Sequence, residues 1–234
     1  MEDYNLYFNN IYANNIDVFV SQTPSIPLTT EQYEEIQIEG RNGKLIRNKG
    51  TYADKQISIK FKIVKAKENY YYKLDKVMDW LTNIKDNRLI LGRDDRCLLV
   101  KKVVLGDITR ENNLYGEFTV NFICKPFWYS LNNVTKTITK NNTNIFCKGN
   151  IDAELILEIY GNGDISITVN DTEMQLNIKK YAKIDSELME ITDKNNNNLI
   201  NNIGDFPTLS QGKNNIMFDG DITKIVITYR ELYR

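Results

Sequence analysis

The sequence contains no histidine. Without one, neither a Ser-His-Asp nor a Cys-His nucleophile can be assembled, and no histidine metal site can form. Cysteine is scarce and odd in number: Cys97, Cys124 and Cys147 include no CxxC pair. That pattern argues against a disulfide framework and against a zinc site. Cys124 closes the run Phe118 to Cys124 and reads as a small buried apolar residue. No surplus of one charge exists, since 30 Lys and Arg oppose 31 Asp and Glu. A dedicated nucleic-acid binder carries a basic excess, so specific nucleic-acid binding is not expected. No apolar run approaches a membrane span, and Met1 to Asn10 lacks a basic region followed by an apolar stretch. Neither membrane insertion nor a secretory leader is expected, and the chain should be made and held in a reducing cytoplasm.

What is present is the balance of a globular protein: 234 residues, 41% hydrophobic and 26% charged. That length supports one large core or two ordinary ones. Residues 4–20 read as strand-forming, and the proline-bearing Thr23 to Pro27 breaks any helix. Tyr33 to Ile38 is a second strand, and Arg41-Asn42-Gly43-Lys44 carries the Asn-Gly pair of a tight hairpin turn. Ile57, Ile59, Phe61 and Ile63 alternate with Ser58, Lys60 and Lys62, the period of a half-buried strand. The lysines Lys60, Lys62, Lys65 and Lys67 read as the wet face of that strand.

From residue 68 to 85 the period changes. Tyr70, Leu74, Val77, Met78, Leu81 and Ile84 fall three and four apart and Trp80 widens the stripe, predicting one amphipathic helix with Glu68 and Asn69 near its start. Strands resume at Leu89 to Leu91, Cys97 to Leu105 and Leu114 to Ile123, with turns at Gly92 to Asp95 and Gly106-Asp107. Beyond the Asn132-Asn133 punctuation, short strands separated by Gly161-Asn162-Gly163, Asn170-Asp171, Asn195 to Asn198 and Asp219-Gly220 suggest a sandwich. The expected fold is mainly β: a β domain with one helix over residues 1–132, then a β-sandwich over 133–234.

The order of signals resembles the siphophage distal tail protein family. In the first half the hairpin leads to Gly50-Thr51-Tyr52-Ala53-Asp54, the alternating strand, the helix ending in Trp80-Leu81, and the exit Cys124-Lys125-Pro126-Phe127-Trp128-Tyr129. In the second half Gly149-Asn150, Ile159 to Asp164, Ile184 to Glu187, Gly204-Asp205-Phe206-Pro207-Thr208-Leu209 and Gly212-Lys213-Asn214 follow collinearly. The resemblance implies a galectin-like second domain and pattern positions at Gly50, Tyr52, Asp54, Trp80, Pro126, Phe127, Gly204, Asp205, Phe206, Pro207, Gly212 and Asn214.

It also implies a non-enzymatic structural virion protein: a homohexameric ring at the tail tip or baseplate, assembled in the host bacterial cytoplasm, without cofactor or metal. Its implied partners are the tail tube or its terminator, the tail-associated hub or lysin protein, and receptor-binding proteins carried by the second domains. Ring contacts of this kind are heterologous and close by rotation, with edge strands supplying them by strand addition. Candidate contact residues are Tyr4, Tyr7, Phe8 and Tyr12, together with Tyr33, Arg41, Asn42 and Tyr52 in the hairpin; the other reading of both segments is ordinary core strand.

A carbohydrate-binding module for bacterial surface glycans is the alternative function, with Trp128 and Tyr129 as a stacking platform. The competing reading has these two aromatics pin a domain boundary by burial. Asp94-Asp95 lies between Arg93 and Arg96 and lacks EF-hand spacing, so it reads as a solvated turn. Asp185 and Glu187, two apart on a strand, would share a face, but nothing else in the sequence builds a glycosidase cleft around them. Gly40 to Lys44 lacks the spacing and the following helix of a phosphate loop.

Overall fold

The computed structural model describes residues 4–64, 70–112, 115–199 and 202–234. The start of the expected helix at Glu68 and Asn69, the lysines Lys65 and Lys67, and Leu114 lie outside the described residues. The chain is mostly β with one helix, and it divides into two compact units, Met1–Trp128 with Arg234, and Tyr129–Tyr233.

In the first unit the strands run in the order Ile11–Tyr12, Leu6–Phe8, Arg88–Leu91, Arg96–Asn112, Tyr115–Cys124, Lys55–Val64, Val18–Val20. Alternation decides what is buried. Ile57, Ile59 and Phe61 point inward and sit opposite Phe122, Val120 and Phe118. A one-residue slip would turn all of them to solvent, so the core pins the register. The stretch read as one strand over residues 4–20 is broken by a 3-10 turn, Ala13–Ile16, closed by Asp17 in the left-handed region (φ 54°). The Gly106-Asp107 turn is instead a bulge inside a single strand, marked by a register shift between Leu105 and Ile108.

The helix Tyr70–Thr82 is shorter than its apolar period. Val77, Trp80 and Leu81 are buried, while Ile84 lies beyond the helix and is exposed. Asn9 ends it. Its side-chain nitrogen donates to the Trp80 and Asn83 carbonyls at 2.7 and 2.8 Å, and its oxygen accepts from the Lys85 and Asp86 amides at 2.7 and 3.2 Å. One buried amide thus satisfies carbonyls that a helix terminus leaves open. The Trp80 indole donates to the Phe8 carbonyl at 2.8 Å, and its ring meets Phe8 and Phe61 edge-on at 6.0 and 6.1 Å.

The second unit is built on three long strands, Ala153–Val169, Thr172–Asp185 and Gly212–Tyr229. Each carries two buried runs with an exposed middle. On the first, Leu155, Leu157 and Ile159 are buried, then Ile165, Ile167 and Val169. All six lie on one face, so the sheet folds over a single core with its bend at the exposed middle. The turns expected at Gly161-Asn162-Gly163 and at Asp219-Gly220 are therefore bends within continuous strands. A Cβ on Gly161 would lie 2.3 Å from the Asp221 carbonyl oxygen, so the neighbouring backbone approaches where only glycine fits. Lys180 takes φ 69° at the matching place on the second strand. Val134–Ile138 and Thr143–Cys147 complete this sheet against the third strand, and neither was expected.

Candidate functional site

Two strands of the first unit bury almost nothing. Glu31–Ile36 pairs with Leu45–Tyr52 as a separate two-stranded sheet, and along both strands nearly every side chain is exposed. The register puts Glu35 opposite Ile46 and Ile36 opposite Leu45, so the apolar residues stand on both faces. Ile46 is 65% exposed and Tyr33 52%. An isolated two-stranded hairpin is marginally stable in water, because it has no second layer to bury against.

The arm is held at its root. The Ala53 amide donates to the Thr30 carbonyl at 3.0 Å, the Thr29 hydroxyl to the Pro126 carbonyl at 3.1 Å, and the Tyr52 ring meets Phe127 edge-on at 4.9 Å. Gly50, in the left-handed region at φ 69°, donates to the Asn48 side chain and sets the bulge there. Asn42-Gly43 lies in a longer connection over residues 37–44, not in a two-residue turn, and Arg41 and Asn42 are exposed on it.

The two edges of the arm differ in charge. The outgoing strand carries Glu31, Glu34 and Glu35 with no cation; the return strand carries Arg47 and Lys49 with no carboxylate. Lys44 reaches back to Glu35 at 2.5 Å. Hydrogen bonds from the Tyr33 hydroxyl and then Asn48 hold the Glu31 carboxyl below the usual range, so this edge stays anionic near neutrality.

The other candidate residues disperse. Phe8 is fully buried against Phe122 and Trp80, so it offers no surface to a partner. Tyr7 meets Tyr12 edge-on at 5.1 Å; Tyr7 is partly buried and Tyr12 is 43% exposed. Tyr4 packs over Gly92. Trp128 and Tyr129 are buried, so neither presents a free stacking face. Arg93 lies over the Trp128 ring at 5.0 Å and binds Asp95 through two bonds.

Among the pattern positions, Asp54 pairs with Lys101 at 2.6 Å, while Asp205 is exposed and Phe206 half-buried. The Pro207 carbonyl accepts from Ser186 at 2.8 Å. Gly204 and Gly212 take φ of 114° and 95°, and a Cβ on Gly204 would strike the Glu173 carbonyl. Asn214, fully buried, bonds Ser210 at both amide and carbonyl, the Gly212 carbonyl and the Asn170 side chain. Asp185 and Glu187 do not form a pair: Asp185 is buried and caps a turn by accepting from the Leu188 amide, while Glu187 is exposed in that turn.

Sequence reasoning named the hairpin but not Glu34, Arg47 or Ile46 within it. The sign segregation of EQYEEI against LIRNKGTY was the available signal.

Residues 11–124 match the family described as the phage tail protein RIFT-related domain. No curated protein matches the sequence. Among solved structures, the SPP1 Dit protein (gp 19.1) superposes with a TM-score of 0.73 at 11% identity, over 99% of each chain. That protein is described as a paradigm of the hub adsorption apparatus in phages that infect Gram-positive hosts. The fold is shared along the whole length, and with the family match it bears out the resemblance drawn from the sequence.

Proposed function

We propose that this chain, a phage tail protein whose residues 11–124 belong to the RIFT-related family, is the distal tail protein of its particle and closes into a ring of six copies. The observation that carries the reading is the bare hairpin. Its two free edges are acidic and basic, so one arm can add to the next head to tail. Such a contact is heterologous and generates a ring when the rotation closes. It also covers Tyr33, Leu45 and Ile46, which are exposed among the described residues.

In this reading the first units form the ring at the tail tip. One side meets the tail tube or its terminator, and the other meets the hub or lysin protein. The second units, galectin-like in outline, hold the adhesion apparatus. The role is structural, within the virion, after assembly in the host cytoplasm.

Light scattering on the purified chain, alone and with its tail neighbours, tests the ring. Six copies are expected, with assembly weakened as salt rises, because the edges attract through exposed charge. Arg47→Glu alone should dissolve the ring, and adding Glu34→Lys to it should restore assembly in part by putting an opposite pair back at those two positions. A chain that stays monomeric in every mixture and is absent from purified particles would sink the reading.

A further inference from the structure

The second unit carries a cleft of about 490 Å³ on the outer face of its sheet. Its floor consists of outward residues in two adjacent rows. One row is Lys224, Tyr160 and Tyr181, side by side on three strands; the other is Glu158, Lys183 and Thr192. Their chain neighbours Leu157, Ile159, Ala182 and Ile184 point into the core, so the backbone beneath the cleft is fixed. The strand Glu190–Thr192 stops opposite Lys183, so among the described residues no strand pairs with Tyr181 on that side. The turn that follows forms the wall, and Asp193 holds it by accepting from the Asn195 and Asn197 amides at 2.7 and 2.9 Å and from the Asn197 side chain at 2.9 Å.

Tyr160 and Tyr181 meet at 5.3 Å and 71°, so the floor presents a ring face and a ring edge at nearly a right angle. Lys224 covers one face of Tyr160 at 4.2 Å. The Tyr181 hydroxyl donates to Glu158 at 3.0 Å, and burial with the neighbouring carboxylate pushes its pKa up to about 12. Tyr181 therefore stays a neutral phenol and Glu158 is committed to it. Asp193 is likewise committed to its turn. Lys180, Lys183 and Lys194 line the cleft against Glu158 and Asp193, and Lys183 also lies 3.5 Å from Asp185, so an acidic group on a ligand would fall to Lys180 and Lys194.

We propose that this cleft binds a sugar bearing an acidic group, with the pyranose C–H face laid on Tyr181 and the acidic group held by Lys180 and Lys194. A flat apolar ring face next to a polar rim matches a pyranose, which is apolar on its faces and hydroxylated around its edge. A nucleobase would need parallel rings to lie between, and a peptide strand adding at the edge beside Tyr181 would use backbone bonds and leave the ring face unused. An acidic group adds charge-assisted contacts that a neutral sugar lacks. Phosphorylated and uronic-acid polymers share this chemistry, and the test separates them. The site lies wholly within the second unit and does not depend on ring formation.

The experiment is saturation-transfer NMR on the full chain with glucose 6-phosphate, glucuronic acid, glucose and inorganic phosphate as separate probes. One or both acidic sugars should show transfer to their ring protons, and which one does identifies the polymer class. Glucose should bind about tenfold more weakly, the size of one lost charge-assisted bond. Tyr181→Phe, which releases Glu158 but keeps the ring, should weaken the signal without abolishing it, and Tyr181→Ala should lose it. Lys194→Glu, in an exposed turn that leaves the fold intact, should bring the acidic sugar down to the level of glucose. No transfer from either acidic sugar, an equal signal from glucose, full competition by inorganic phosphate, or an unchanged signal in Lys194→Glu would each overturn the assignment.

Discussion

The Glu31–Tyr52 arm and the long strands of the second unit are both antiparallel β structure, yet they treat their side chains in opposite ways. On Ala153–Val169 every second residue is buried at both ends, and the exposed middle serves as the bend. On the arm neither face is covered. The long strands gain their stability from within the chain, at about 25 cal/mol for each Å² of apolar surface removed from water. The arm gains almost nothing that way, and its order comes from the clamp at its root. Surface left bare on a hairpin that cannot stand alone is what the proposed ring contact would cover.

Substitutions can sharpen or break this contrast. The largest effect belongs to a core ring of the first unit: Phe61→Ala should cost about 3–5 kcal/mol in denaturant unfolding, through lost burial and the cavity left among Trp80 and Phe118. Next is Asn214→Ala, expected to cost about 1–3 kcal/mol, because it removes a buried side chain whose amide bonds Ser210, Gly212 and Asn170 in the second unit. A loss under about 1 kcal/mol would mean that the strand ends are not held as described.

Asp86→Asn is third. The hydrogen bond from Arg88 holds the Asp86 carboxyl below its usual range, and the Tyr7 hydroxyl adds to this. Its contribution is present above the unfolded carboxylate pKa, near 4, and fades as pH falls through the lower folded value. The variant should lose about 1–2 kcal/mol at pH 7 and close part of that gap on acidification below pH 4, as read by melting against pH.

The smallest effect on folding is expected where the effect on assembly is largest. Ile46→Ser should shift monomer stability by less than about 0.5 kcal/mol, since the side chain touches solvent, while weakening the ring. A large drop in monomer stability would break the comparison, because it would show that the arm is part of a core.

How much of this was legible follows the same division. The alternation of Ile57 to Ile63 and the three-and-four spacing around Val77 to Leu81 announced strand and helix, because burial of one face writes a period into the sequence. The Gly161 and Asp219-Gly220 bends were misread as turns. Glycine and polar residues mark a bent strand and a reversal alike, and only the neighbouring Asp221 backbone distinguishes them. Asn9 left no trace as a helix cap, since its partners lie more than 70 residues away. In the candidate sites, Tyr160 and Tyr181 became neighbours only through register, and charge segregation on the arm was visible but has no period.

The clamp at the root of the arm, formed by Thr29, Thr30, Tyr52, Ala53, Pro126 and Phe127, fixes the direction of both edges before any neighbour arrives. In a head-to-tail circle the number of members equals the full turn divided by the rotation imposed at each step. If the proposed ring forms, its count would be set at this root and the charged edges would set how firmly each step holds, so Phe127→Ala should change how many subunits fit and Arg47→Glu whether they stay.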